Sequence, residues 1–201
     1  MRRASLPFLF LLSSLAAACG DDPSLAGDVV GVTVADPGHA VPEGGARIEL
    51  IWLVTSGSPD YEWVAGSGRA HRTGFELDLP DALPEAARNR YGDVEVGVGA
   101  IFATQSEEGF GPGRLEEEDI GDDDVLLGAT PRHAIIYRNG VDASPDIPED
   151  DWVFDFPEGF SCGVAVPAAE GETFDGFAPI DCSEVELRFG DLEEFDWVNW
   201  T

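Results

Sequence analysis

Apolar and polar residues alternate with a period of two in about seven stretches of this chain, and almost nowhere does a period of 3.6 take over. The stretches are 28–34 (DVVGVTV), 46–55 (ARIELIWLVT), 74–79 (GFELDL), 92–103 (GDVEVGVGAIFA), 134–138 (AIIYR), 163–166 (GVAV) and 184–189 (EVELRF). Successive side chains of a strand point to opposite faces, so strict alternation is the mark of a half-buried strand. In 74–79, Phe75, Leu77 and Leu79 share one face, with Glu76 and Asp78 on the other. In 92–103, Val94, Val96 and Val98 face one way while Asp93, Glu95 and Gly97 face the other. Val185, Leu187 and Phe189 form an inward set near the end. Segment 46–55 is apolar on both faces in its second half, which places Trp52 in the core. The helical signal is confined to 80–91 (PDALPEAARNRY), where Pro84 suits the first position of a short helix running to Asn89.

Many short strands need many turns, and 24 Gly and 14 Pro supply them. The chain therefore reads as all-β. An immunoglobulin-like or related Greek-key β-sandwich of about seven strands is the first expectation, and a closed barrel the second. The two late cysteines are too close together for the inter-sheet bridge of antibody domains, so the expectation concerns architecture only. Two long acidic stretches, 104–130 and 139–161, interrupt the strands and read as loops.

The N-terminus reads MRRASLPFLFLLSSLAAACGDD. Arg2 and Arg3 precede an apolar run over 6–15, and Ala16, Ala17 and Ala18 follow it, which is the layout of a secretory signal. The run is shorter than the roughly 20 residues that span a bilayer. Leu15-Ala16-Ala17-Ala18-Cys19 resembles the lipobox of bacterial lipoproteins, with the Leu one place further back than in the commoner pattern. The resemblance implies a signal peptide over 1–18, cleavage before Cys19, and fatty acyl chains such as palmitate on that cysteine. Two or more chains are needed because one anchors only marginally. Residues 19–27 then read as a lipidated tether and 28–201 as a single domain in the periplasm or at the cell surface. The chain as a whole is similar in style to predicted lipoproteins of high-GC bacteria, a likeness that implies no active site.

Charge narrows the partners. All 11 basic residues are Arg, against 40 Asp and Glu. The signal removes Arg2 and Arg3 and no acid, leaving 9 Arg, 40 acids and a formal charge of −31. Such a surface repels nucleic acid and anionic lipid headgroups alike, so attachment falls to the lipid and recognition to an envelope protein or glycan. With Cys19 acylated, Cys162 and Cys182 remain, and an exported domain would pair them. Closing that loop stabilises by about 3 kcal/mol in the chain-entropy view. Their spacing fits neither C-x-x-C nor a zinc pattern.

Site candidates follow from residue types. Asp119, Asp122 and Asp124, with Gly121 for a bend, could offer oxygen ligands to Ca²⁺, although the EF-hand spacing is absent and acidic runs are commonly solvated loops. Trp63 and Trp152 sit beside acids and could stack on a ligand such as a sugar, although aromatics more often fill cores. Trp197 and Trp200 lie near the C-terminus. Without Lys there is no Walker A loop and no S-x-x-K pair, and G-x-S-x-G and H-E-x-x-H are also missing. A hydrolase would need His71 or His133 to meet a carboxylate and a Ser in one cleft; His39 is the third histidine. The expectation is an envelope lipoprotein acting as a binding or structural module, with a Ca²⁺-stabilised domain as the alternative and a hydrolase behind both.

Overall fold

A computed structural model describes residues 28–55, 61–115, 126–140, 151–167 and 175–194. It is all-β. The strands are β1 (Asp28–Ala35), β2 (Ala46–Val54), β3 (Tyr61–Ala70), β4 (Phe75–Asp78), β5 (Asn89–Tyr91) and β6 (Val94–Thr104). They continue with β7 (Gly113–Leu115), β8 (Leu126–Ala129), β9 (His133–Asn139), β10 (Gly159–Ala165), β11 (Phe177–Ile180) and β12 (Glu186–Phe189). Among the described residues the helical content is single 3-10 turns, and no helix is long and apolar enough to cross a membrane. The helix expected after Pro84 is one such turn, Glu85–Ala87, and β5 follows at once. Burial of Leu83 and Ala87, and the bond from Arg88 Nε to the Leu83 carbonyl at 2.7 Å, fix the segment before a second turn can form.

The sandwich expectation gives way to a ring. One sheet runs β6-β2-β3-β4-β1-β12-β8, and β8 pairs back onto β6, closing a seven-stranded barrel. The cause is the length of β6. Its first half pairs with β9 over 95–99, leaving Phe102, Ala103 and Thr104 to meet β8. Strands β9, β10 and β11 extend the sheet from β6 beyond the ring. The expected loop 104–130 accordingly contains β7 and β8, too short to leave a pattern in the sequence.

Trp52 organises the interior. It is fully buried, its Nε1 donates to the Ala65 carbonyl at 2.8 Å, and its ring lies 5.9 Å from Phe160. Gly97 and Gly99 make room for it: a Cβ at either would come within 3.0 Å of the indole. Cys162 and Cys182 are disulfide-bonded, with Cα atoms 5.2 Å apart, and so tie β10 to the turn before β12. With glycine facing the indole, Val94, Val96 and Val98 face away from the barrel, where a second apolar layer covers them. That layer is the Trp152–Asp155 turn together with Phe156 and Phe177.

Candidate functional site

Strand β1 changes partners halfway along. Residues 28–31 pair with β4 on one side, and residues 32–35 pair in parallel with β12 on the other. At the changeover each residue has a strand on one flank only. The tip of the β3–β4 hairpin closes one side, where Thr33 Oγ1 donates to the His71 carbonyl at 2.7 Å. The Cys182–Glu184 turn closes the other, and the Val32 N–H reaches the Val185 carbonyl at 2.9 Å. The result is a groove of about 420 Å³ floored by Val30, Gly31 and Val32 and walled by His71, Thr73 and Ser183.

The orientation of β1 is the unusual feature. Alternation offers two faces, Val30-Val32-Val34 or Val29-Gly31-Thr33, and the more apolar row ordinarily goes inward. Here the reverse holds: Val30, Val32 and Val34 are 54%, 38% and 40% exposed while Val29 is fully buried. The reason is steric. A Cβ at Gly31 would lie 2.5 Å from the Phe75 ring and 2.6 Å from the Val185 carbonyl oxygen, so only glycine fits on the inner side. With Gly31 inward, the valines must point out.

Carboxylates border the valine row. Register sets Val30 opposite Glu76, Asp28 opposite Asp78, and Val32 beside Glu186. The Asp78 carboxyl is held above the usual range by a hydrogen bond shared with Asp28, and by the charges of Asp28 and Glu76. Nearby arginines are engaged elsewhere. Arg69, opposite Glu76, bonds Glu107 at 2.8 Å, and Arg188 bonds Asp36 at 2.8 Å.

A second concavity, about 450 Å³, lies at the barrel mouth beside Tyr61, Glu85 and Arg90, and its charges are matched internally. Arg88 bonds Glu95, Arg90 bonds Glu85 at 2.8 Å, and Arg114 stacks 4.6 Å over the Tyr61 ring, whose hydroxyl donates to the Ala86 carbonyl. The bonds from Arg88 and Asn139 hold Glu95 below the usual carboxylate range.

Of the residues singled out from sequence, Cys19, Asp119, Asp122, Asp124, Trp197 and Trp200 lie outside the described residues. Among the described residues no group of three or more His, Cys, Asp and Glu is placed to hold a metal ion. Trp63 is half-buried and packs against the main core, directly across from Trp52 in the sheet. Trp152 is also half-buried and lies edge-on to Phe156 and Phe177, at 5.9 and 5.3 Å. Neither lines the β1 groove. His71, Glu76 and Ser183 do share that groove, but Ser183 Oγ donates to Asp181 at 2.7 Å rather than to a histidine. His133 is elsewhere, its pKa pushed down by burial against an opposing pull from Glu186.

Sequence reasoning missed the outward valines, since alternation marks two faces without saying which is inside. It also missed Glu49, which is buried and accepts from the N–H groups of Phe110 and Gly111 at 2.6 and 3.3 Å and from Arg47 at 3.2 Å. That carboxylate pins the loop after β6, and its signal was an acid inside an otherwise apolar strand. Comparison with protein-family models, with curated proteins and with solved structures finds no match to this chain.

Proposed function

We propose that this chain is a cell-envelope lipoprotein, acylated on Cys19, whose acidic barrel is a binding module that works through the outer face of β1. One observation carries the choice of face: a row of three exposed valines on a strand whose inner side is Val29, Gly31 and Thr33. Scattered apolar residues are normal on a surface, but an aligned row beside a groove marks an interaction site. Export is supported by the signal-like N-terminus and by the Cys162–Cys182 disulfide, a bond that persists in oxidising compartments. The groove's serine hydroxyl is bound to Asp181, so a binding role has better support than hydrolysis.

Intact-mass measurement of protein extracted from native membranes with detergent tests the anchor. The expected mass lacks residues 1–18 and carries acyl groups that vanish in Cys19→Ala. Retention of Met1 with a bare thiol at Cys19 would overturn the assignment.

A further inference from the structure

Resting on the reading of the β1 face as a docking surface, we propose that its partner is an extended, cationic segment of an envelope protein. The segment would set alternate aliphatic residues on Val30, Val32 and Val34 and Lys or Arg side chains against Asp28, Glu76, Asp78 and Glu186. The chemistry of the face selects this occupant. The valine row spans about 14 Å, the length of a strand of four or five residues. An extended partner repeats its side chains at the same spacing, so an aliphatic residue at every second place meets each valine in turn.

The borders then decide the charge. Glu76 and Asp78 on β4 and Glu186 on β12 flank the row on both sides. Among the described residues no salt bridge joins these three carboxylates to an arginine, although Arg188, beside Val34, feels the charge of Glu186, and Asp28 faces Asp78 directly across the strand pair. Like charges placed opposite one another cost stability, and a cation laid between them reverses the sign of that term. A second copy of the chain is disfavoured, because it would bring another −31 charge and the same carboxylates against these. An anionic lipid surface is disfavoured for the same reason. Cationic side chains on an apolar frame remain. The tether sets the location: eight residues lie between Cys19 and Asp28, so β1 begins within about 30 Å of the acylated membrane surface.

The test uses the acylated, detergent-solubilised full-length mature protein and a fluorescent octapeptide that alternates Lys and Val, read by anisotropy. Peptides alternating Glu with Val and Lys with Ser serve as comparisons. The Lys–Val probe is expected to bind and to weaken as salt rises, with both comparison peptides weaker by about tenfold or more. Val30→Ser/Val32→Ser/Val34→Ser and Glu76→Gln/Asp78→Asn should each lower its affinity by a similar factor, while the remote Asp155→Asn/Glu158→Gln, beside the second apolar layer, should not. Both groove variants are to be compared at matched thermal stability, since they alter exposed positions. Equal loss in the remote variant, or no loss in either groove variant, would overturn the proposal. A photocrosslinker replacing Val32 in the acylated protein on cells separates the two possible failures. Crosslinks to protein without binding of the Lys–Val probe overturn the cationic segment but keep the docking face, whereas crosslinks to lipid alone overturn both.

Discussion

Strands β1 and β6 both turn glycine toward the barrel and valine away from it, yet only one of the two valine rows is covered. In β6, Gly97 and Gly99 lie against the Trp52 indole, and Val94 and Val96 on the other side are fully buried beneath the Trp152–Asp155 turn. In β1, Gly31 lies against the Phe75 ring, and Val30, Val32 and Val34 stand in solvent. The inner logic is the same: a large ring inside the barrel leaves no space for a Cβ on the adjacent strand. The outer outcome differs because β6 carries the β9–β11 extension beside it and β1 does not. A chain that builds a second apolar layer over one row and leaves the other bare has the means to cover valines where nothing else will. The bare row is the face we propose as a docking surface.

The largest effect should come from uncovering the β6 row. Phe156 is buried in the second layer, against Trp152 and the face of β9 and β10. Phe156→Ala should destabilise the domain by about 3–5 kcal/mol, measured by chemical denaturation. It should also raise binding of an apolar dye, as Ile136 and Val98, which share its cluster, become accessible. A loss below 1 kcal/mol would mean that the layer is not a lid and would remove the contrast with β1.

Second in size is the inner side of β1. Gly31→Ala places a Cβ within 2.5 Å of the Phe75 ring and 2.6 Å of a backbone carbonyl. The ring can shift but the carbonyl of Val185 is held by the parallel pairing with β12, so the cost should be about 1–3 kcal/mol. If Gly31→Ala were neutral, steric demand would not explain why the valines face outward.

The alternating segments were legible because a strand with one face in the barrel writes its burial locally, as GFELDL and EVELRF do at β4 and β12. Strand β3 was not, because Gly66, Gly68 and Arg69 interrupt its pattern and a bulge near Leu50 in β2 shifts the register beside it. Strands β8 and β11 are four residues each, too short for any period. Ring closure rests on β8 meeting the last residues of β6, a contact between segments more than twenty residues apart that no local pattern records. The disulfide was legible for a chemical reason, since only two cysteines follow Cys19. The β1 face was half legible: the valine row was visible, but its direction depended on Phe75, which lies far along the chain.

The smallest effect is also the most specific, because its sign should differ between the two strands. On the β1 face the Asp78 pKa is raised, mainly by the hydrogen bond shared with Asp28. A raised carboxyl pKa means that the folded state holds the proton more tightly than the unfolded one. That stabilisation is fully present below about pH 4 and is lost as pH rises through the raised value. At neutral pH two carboxylates then face each other, so Asp78→Asn should raise the melting temperature slightly at pH 7 and give no gain at pH 3. Beside the β6 row the sign reverses. Glu95 has a lowered pKa, chiefly from the Arg88 hydrogen bond, so its stabilisation is present above about pH 4.3 and is lost as pH falls through the lowered value. Glu95→Gln should therefore lower the melting temperature at pH 7 and have little effect at pH 3. Melting curves of the two variants at the two pH values check this directly. A destabilised Asp78→Asn at pH 7 would mean that Asp28 and Asp78 already have a cation in the folded chain, and the β1 face would then have no unmet charge to offer a partner.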